Sequence, residues 1–296
     1  MEREFMETGT ILVAGAGGHT GKHIVPMLIE QGYAVRLLTR SKSRLVALYP
    51  NADIFEADIT DAASLRGVCK DVQAVISTIG ASLDMNDFRD KRSFHEIDFG
   101  GNKNLFVETE RANVQKFVYL SAFGGETTNT TYTNEHEAFV QILKKSSMKY
   151  AVVRPTGFFY VNGEFLKMAQ KGRAMMIGDG TARTNPIHEA DVAKACIDGL
   201  TSTETSINIG GAETFTRKEI IELAFRVLGK KPVISSVPYG MMHFASKLAR
   251  PINRRLSDLV EFGSVVSTKD CVAPAMQTQQ RLEEYFCAMA EEENGV

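Results

Sequence analysis

Short apolar runs alternate with helix-like stretches through the first two-thirds of the chain. The runs Ile11 to Ala14, Ala34 to Leu38, Asp53 to Phe55, Ala74 to Ser77, Phe117 to Leu120, Ala151 to Val153 and Ile207 to Ile209 have the length of strands. Several are continuously apolar, without a polar partner at every second position. That is the mark of parallel strands covered on both faces. Between them, Lys22 to Glu30, Ala62 to Cys69, Gly101 to Arg111, Glu135 to Lys145 and Glu189 to Leu200 carry helical patterns. The alternation predicts an α/β fold built on a doubly wound parallel sheet of Rossmann type.

The last third changes character. Thr216 and Glu219 have capping-box spacing and predict a helix through about Leu228. Pro232, Pro238 and Pro251 then divide the chain into short pieces. Residues 9–211 are therefore expected to form the Rossmann-type domain. Residues 212–296 are expected to add a small, mostly helical lobe on the substrate side, not an independent domain, with the run from Ile207 returning to the sheet.

Composition narrows this picture. A chain of 296 residues with 44% hydrophobic residues can fill a sizeable core. A formal charge of -2 gives no reason to expect nucleic acid or an anionic membrane as the main partner. Cys69, Cys196, Cys271 and Cys287 lie far apart, as reduced thiols do, and no metal-ligand spacing occurs. The charged start MEREFMETGT leads directly into a strand, unlike a signal peptide, and no apolar run approaches the ~20 residues of a membrane span. A cytoplasmic protein with a small-molecule substrate is expected; a homo-oligomer is compatible with this.

The first strand–helix junction carries the clearest chemistry. Gly15, Gly18 and Gly21 have GxxGxxG spacing, with Gly17 adding backbone freedom. Bare backbone can turn tightly and approach a pyrophosphate, and the following helix offers free N–H groups and its positive end. Thr20 adds a hydroxyl donor, and His19 touches phosphate or faces solvent. At the end of the second strand, an NAD site would place a carboxylate about 20 residues past the glycines. Here stand Arg40, Lys42 and Arg44. Three cations suit a ribose 2′-phosphate, so NADP(H) is favoured, with NAD(H) still possible. Asp58 and Ile59 are placed to meet adenine, although Asp58 or Thr60 equally suits a helix N-cap. Thr78, Ile79 and Gly80 give a small-residue end to the fourth strand, where backbone passes close to the cofactor.

Taken together, GAGGHTG (15–21), EADITD (56–61), VISTIG (75–80), FVYLSAFG (117–124), KKSSMKYAVVRPTGFF (144–159) and NPIHEADVA (185–193) resemble the atypical, NmrA-like branch of the short-chain dehydrogenase/reductase superfamily. The resemblance implies a Rossmann fold, an NAD(P) site across the first four strand ends and a substrate pocket under the C-terminal segment. It also implies that Arg154-Pro155-Thr156 forms a turn near the nicotinamide. Typical members reduce carbonyls with a serine, a tyrosine and a lysine four residues on, whose charge lowers the tyrosine pKa. Ser121 and Tyr132 match the first two, but His136 stands at the lysine position. Neutral imidazole perturbs a phenol far less, and with an unperturbed pKa of ~6.5 the charged form is a minority at neutral pH. Three outcomes stay open: a tyrosine–histidine pair, hydride transfer with the proton from water or another group, and no turnover.

Other features are weaker. His188 and Asp191 read as a cap and a buried hydrogen-bond partner. Phe158-Phe159-Tyr160 is a substrate wall or core. Met241 to Arg250 has an apolar face ringed by cations, suited to a membrane surface, to a lid over a greasy substrate or, more ordinarily, to packing on its own domain. The acidic tail from Glu291 should fray. Two functions follow: an NADPH-dependent oxidoreductase acting on an apolar carbonyl or conjugated compound, or a non-catalytic NAD(P)-binding redox sensor or assembly protein. A nucleotide-sugar epimerase is a distant third, because such enzymes need the tyrosine–lysine pair.

Overall fold

The computed structural model describes residues 9–83 and 90–293. Seven parallel strands form the main sheet: β1 (Thr10–Ala14), β2 (Ala34–Thr39), β3 (Asp53–Glu56), β4 (Val72–Ser77), β5 (Lys116–Leu120), β6 (Lys149–Pro155) and β9 (Ser206–Ile209). Their order is β3-β2-β1-β4-β5-β6-β9. The direction of travel reverses between β1 and β4, which opens a crevice at their carboxyl ends.

The continuous apolar runs follow from burial on both faces. In β1, Ile11 and Val13 point to one side, against Ile24, Val25 and Leu28 of α1 (Gly21–Glu30) and Val192 and Cys196 of α6 (Glu189–Asp198). Leu12 and Ala14 point to the other, with Leu105 and Phe106 of α3 (Asn102–Arg111) and Phe139, Val140 and Leu143 of α4 (Thr131–Lys145). Two expected helices differ. Ala62 to Cys69 is a chain of tight turns with hydrogen bonds spanning three residues, because Gly67 takes φ 82° and breaks any regular helix. The helix expected from Gly101 is entered through a π-helical turn, His95–Gly101.

Beyond the main sheet, α5 (Phe159–Gln170) leads to β7 (Ala174–Ile177), which pairs in parallel with β11 (Ile234–Val237). β8 (Arg183–Thr184) pairs antiparallel with β10 (Phe215–Thr216), after which the Thr216/Glu219 capping box opens α7 (Arg217–Val227). The chain ends with α8 (Tyr239–Ala249), α9 (Arg254–Thr268) and α10 (Leu282–Glu293). Glu291 to Glu293 are thus helical, not frayed, and 294–296 lie outside the described residues, as does the start of the chain. Phe159, Leu166, Ile220, Phe225, Leu282 and Phe286 share one core, so Phe159 of the aromatic run is core and not a substrate wall.

Asn185 fastens this segment to the sheet. Its side-chain amide donates to the carbonyls of Gly211 (3.1 Å) and Ala273 (2.9 Å), and its oxygen accepts from the Ala273 N–H (3.0 Å). Gly210 N–H donates to Pro274 O and accepts Met276 N–H at its carbonyl, so residues 273–276 run along the end of β9. Asn185→Ala leaves these buried groups unpaired and should lower stability by about 2–4 kcal/mol in urea unfolding.

Candidate functional site

The glycine loop is shaped by its own backbone. Gly15 has φ 89°, and a Cβ there would stand 2.6 Å from Thr78 Oγ1. A Cβ at Gly21 would stand 2.1 Å from Gly15 O, so the first turn of α1 sits directly on the loop. Gly18 N–H closes the turn onto Gly15 O at 2.9 Å. Gly17 differs from its expected role: its φ is not positive and a Cβ would meet only Leu45 at 3.5 Å, an ordinary contact. Gly17 and Gly18 are exposed, presenting bare backbone at the positive end of α1. This cradle fits a pyrophosphate. Thr20 is buried at the helix entrance and makes no capping bond. Pro26 denies Lys22 O its helical partner, and Tyr49 OH approaches that oxygen at 3.5 Å.

Three histidines gather here. His19 stacks on Tyr160, with ring centroids 3.9 Å apart. His23 lies 5.6 Å from His188, whose Nδ1 caps α6 by accepting Ala190 N–H at 3.0 Å. Burial, then the charges of Lys22, His188 and His19, lower His23 to about 4. His188 is thus the cap, whereas Asp191 Oδ2 is buried without the expected partner.

Past the ends of β2 and β3 the structure joins residues that lie far apart in sequence. Arg40 pairs with Asp90 at 3.0 Å. Arg92 grips Asp90 through Nε (2.8 Å) and Nη2 (2.5 Å), and reaches both oxygens of Asp58 at 2.9 and 2.8 Å. Asp58 also accepts Thr60 N–H at 2.9 Å, as in an Asx turn. Its carboxylate is therefore engaged by Arg92 and Thr60 while its side chain stays 40% exposed. Lys42 and Arg44 are exposed on α2 (Lys42–Leu48), where the Lys42 N–H donates to Glu56 Oε1 at 3.0 Å. Ile59 is buried in the core beside α3. Arg92 and Asp90 carry no motif, and only the fold reveals them.

The next strand ends line up along the crevice. Thr78 N–H donates to Ala14 O at 2.9 Å, tying the end of β4 to the glycine loop. Ile79 O accepts from Asn102 Nδ2 at 3.2 Å, and Gly80 faces Asp98, whose Oδ2 accepts Ala81 N–H at 3.1 Å. Ser121 N–H donates to Val153 O (2.8 Å) and Phe123 N–H to Pro155 O (2.9 Å), bringing Ser121 and Pro155 side by side. Ser121 Oγ is buried and has no partner. Arg154 is an anchor: its Nη2 is 2.9 Å from both oxygens of Glu137, and Nη1 donates to Ser206 Oγ at 2.8 Å.

Tyr132 belongs to a helix and not to a loop. Thr130 and Thr133 form a reciprocal capping box, so α4 begins four residues before the apolar pattern suggests. Tyr132 and His136 share a face, with centroids 4.6 Å apart. The phenol is buried by Phe94 (5.2 Å) and by Phe262 of α9 (4.5 Å). Burial, then the Asp98 charge, push its pKa well above 10.0, opposite to the direction in a tyrosine–lysine pair. His136 Nδ1 is 2.6 Å from Tyr119 OH. Its Nε2 stands 3.2 Å from the fully buried Asp98 Oδ1, at ion-pair distance but off the axis of a hydrogen bond. Burial likewise raises the Tyr119 pKa and keeps that phenol protonated. Both imidazole nitrogens thus face protein groups, and the structure does not offer the ring to a ribose hydroxyl.

Residues 15–203 match a family model described as NAD(P)H-binding. The chain belongs to this family. This agrees with the short-chain dehydrogenase/reductase resemblance, and the chain's cofactor is a nicotinamide dinucleotide. It is 29% identical over 256 residues to the chloroplastic divinyl chlorophyllide a 8-vinyl-reductase of Cucumis sativus, covering 79% of this chain and 61% of that protein. It is also similar to the photosystem II assembly factor Ycf39 of Cyanophora paradoxa, at 22% identity over 80% of this chain and 74% of that one. Among solved structures, the NADPH-dependent quinone oxidoreductase QOR2 of Escherichia coli, complexed with NADPH, superimposes with a TM-score of 0.73 at 16% identity. That match covers 95% of this chain and 99% of the other and shows a shared fold.

Two outcomes are expected. Gly21→Ala should abolish dinucleotide binding in calorimetry, because its Cβ would strike the Gly15 carbonyl. The lowered His23 pKa makes the unfolded chain bind more protons than the fold between pH 6.5 and about 4. The neutral ring's contribution is therefore complete above 6.5 and is lost as pH falls towards 4. His23→Gln should flatten that part of the acid limb in thermal unfolding relative to wild type.

Proposed function

We propose that this chain is an NADPH-dependent oxidoreductase that reduces a conjugated, largely apolar compound. The observation that carries this is the setting of Tyr132: a buried phenol with a raised pKa, followed four residues on by a sequestered histidine. Carbonyl reduction leaves an alkoxide that needs a proton as it forms, which is the task of a tyrosine–lysine pair. Hydride addition to a conjugated double bond forms one C–H bond and leaves a delocalised anion. Water can protonate that anion at the second carbon in a later step. A hydride is the chemistry a reduced nicotinamide supplies.

The residues divide the work. Gly15, Gly18 and Gly21 hold the pyrophosphate, Thr78 and Pro155 fix the strand ends beside the nicotinamide, and Ser121 Oγ is a hydrogen-bonding group free for cofactor or substrate. Tyr132 forms a wall, and His136 positions it from behind. Arg40, supported by Lys42 and Arg44, takes the 2′-phosphate in exchange for Asp90. A cavity of about 400 Å³, lined by Thr127, Asn129, Tyr239, Val265, Thr268 and Lys269, opens beside the loop that precedes α4. The name of the cucumber relative, a vinyl-reductase, supports a conjugated double bond as the target.

The sealed state of His136 also favours a second reading, a non-catalytic dinucleotide-binding sensor or assembly factor, as the name of the Ycf39 relative suggests. Absorbance assays with NADPH against quinones and enones separate the two. We expect oxidation of NADPH that survives Tyr132→Phe within about tenfold. A loss of roughly 10²–10⁴ would make Tyr132 the proton donor after all, and binding without oxidation of any acceptor would favour the sensor. Arg40→Ala should weaken NADPH by about tenfold or more while leaving NADH within about twofold; equal losses would remove the basis for NADPH preference.

A further inference from the structure

Helix α8 wears its apolar side outward. Met241, Phe244, Leu248 and, just past the helix, Ile252 are 61%, 63%, 62% and 90% exposed. Their spacing of three, four and four residues places them on one side of a helix. The residue α8 buries is Ser246, whose hydroxyl donates to His243 O at 2.8 Å. This inverts the arrangement of a helix packed on its own domain. Packing on the body, the ordinary expectation for this segment, therefore does not account for the stripe. Contiguous apolar surface of this kind marks an interaction site.

Charge identifies the occupant. Between Tyr239 and Leu256 the sequence holds Lys247, Arg250, Arg254 and Arg255 and no aspartate or glutamate, in a chain whose overall charge is -2. Arg255 is turned inward, donating to Ser82 O (2.8 Å) and to Asp90 O. Lys247, Arg250 and Arg254 are exposed; Lys247 lies one helical turn on from Phe244 of the stripe, and Arg250 keeps a long 3.8 Å contact with Asp258. A second copy packed face to face here would oppose like charges. An anionic surface with an apolar interior satisfies both features.

We propose that α8 docks the protein on an anionic lipid bilayer, with Met241, Phe244, Leu248 and Ile252 entering the boundary between headgroups and acyl chains and the three cations meeting lipid phosphates and carboxylates. The docked face adjoins the cavity described above, because Tyr239, the first residue of α8, lines it. The docking surface does not depend on the catalytic reading and stands or falls separately from it.

The test is sedimentation of the full chain with vesicles of phosphatidylcholine alone and of phosphatidylcholine with about a third phosphatidylserine. Binding is expected to the mixed vesicles and not to the neutral ones, and it should weaken at about 0.5 M salt. Phe244→Ser with Leu248→Ser, and separately Lys247→Glu with Arg254→Glu, should each reduce it roughly tenfold or more. NADPH affinity and circular dichroism should stay unchanged, which shows that the variants fold. Failure to bind either vesicle, or equal binding by the variants, overturns the proposal. So does a dimer in sedimentation velocity that Phe244→Ser dissolves, because the stripe would then be a contact between copies.

Discussion

Everything at the cofactor end rests on how closely the chain passes over itself between residues 15 and 21. The start of α1 lies against the carbonyl of Gly15, and that carbonyl in turn receives the Gly18 N–H. The same residue meets Thr78 at the end of β4. The turn is therefore the joint between β1, α1 and β4, the place where the sheet changes direction. Any side chain at Gly21 would push the helix away from the strand, and the cradle and the sheet reversal would be lost together. Stability and ligand geometry are one constraint at this point.

Further along the crevice the chemistry departs from the usual pattern for a physical reason. Lysine at the position of His136 would bring a charge that water or a ribose must solvate. The imidazole is instead enclosed between Tyr119 and Asp98, and the π-helical turn delivers Asp98 to that spot. The site has exchanged a mobile cation for a fixed polar chain that links β5, α4 and the end of β4. Tyr132 packs on this imidazole and on Phe94 and Phe262, and its burial does not make it a better acid. The glycine turn keeps the spacing expected of a dinucleotide-binding loop, whereas the tyrosine–lysine spacing is broken at His136.

What the sequence disclosed follows the same division. The seven strands of the sheet and the glycine turn were legible because they depend on local pattern: continuous apolar runs buried on both faces, and glycines where backbone crowds backbone. The start of α4 was hidden because Thr133 takes the capping role usually filled by Glu or Gln. Gly67 concealed the irregular turns before β4, since an isolated glycine gives no notice of a positive φ. Arg92, Asp90 and Asp98 were not legible at all. Each is a lone charge whose meaning depends on which strand end lies next to which, and that is set by the order of the sheet. The apolar stripe of α8 was visible as a pattern, but its direction was not. A helical period reports that one face differs from the other, not which of them meets solvent.

The C-terminal segment is therefore more than a cover. Leu259 and Phe262 of α9 close over Tyr132. Asp258 and Glu261 accept from Thr131, placing carboxylates at the positive end of α4, and burial raises the Asp258 pKa. From the same helix, Arg255 holds the carbonyls of Ser82 and Asp90, and Asp90 is the carboxylate shared by Arg40 and Arg92. One helix thus touches both Tyr132 and the Arg40–Asp90–Arg92 cluster. It is also joined through Pro251 to the exposed stripe of α8. The exposed stripe and both of these contact regions are thus joined through a single helix.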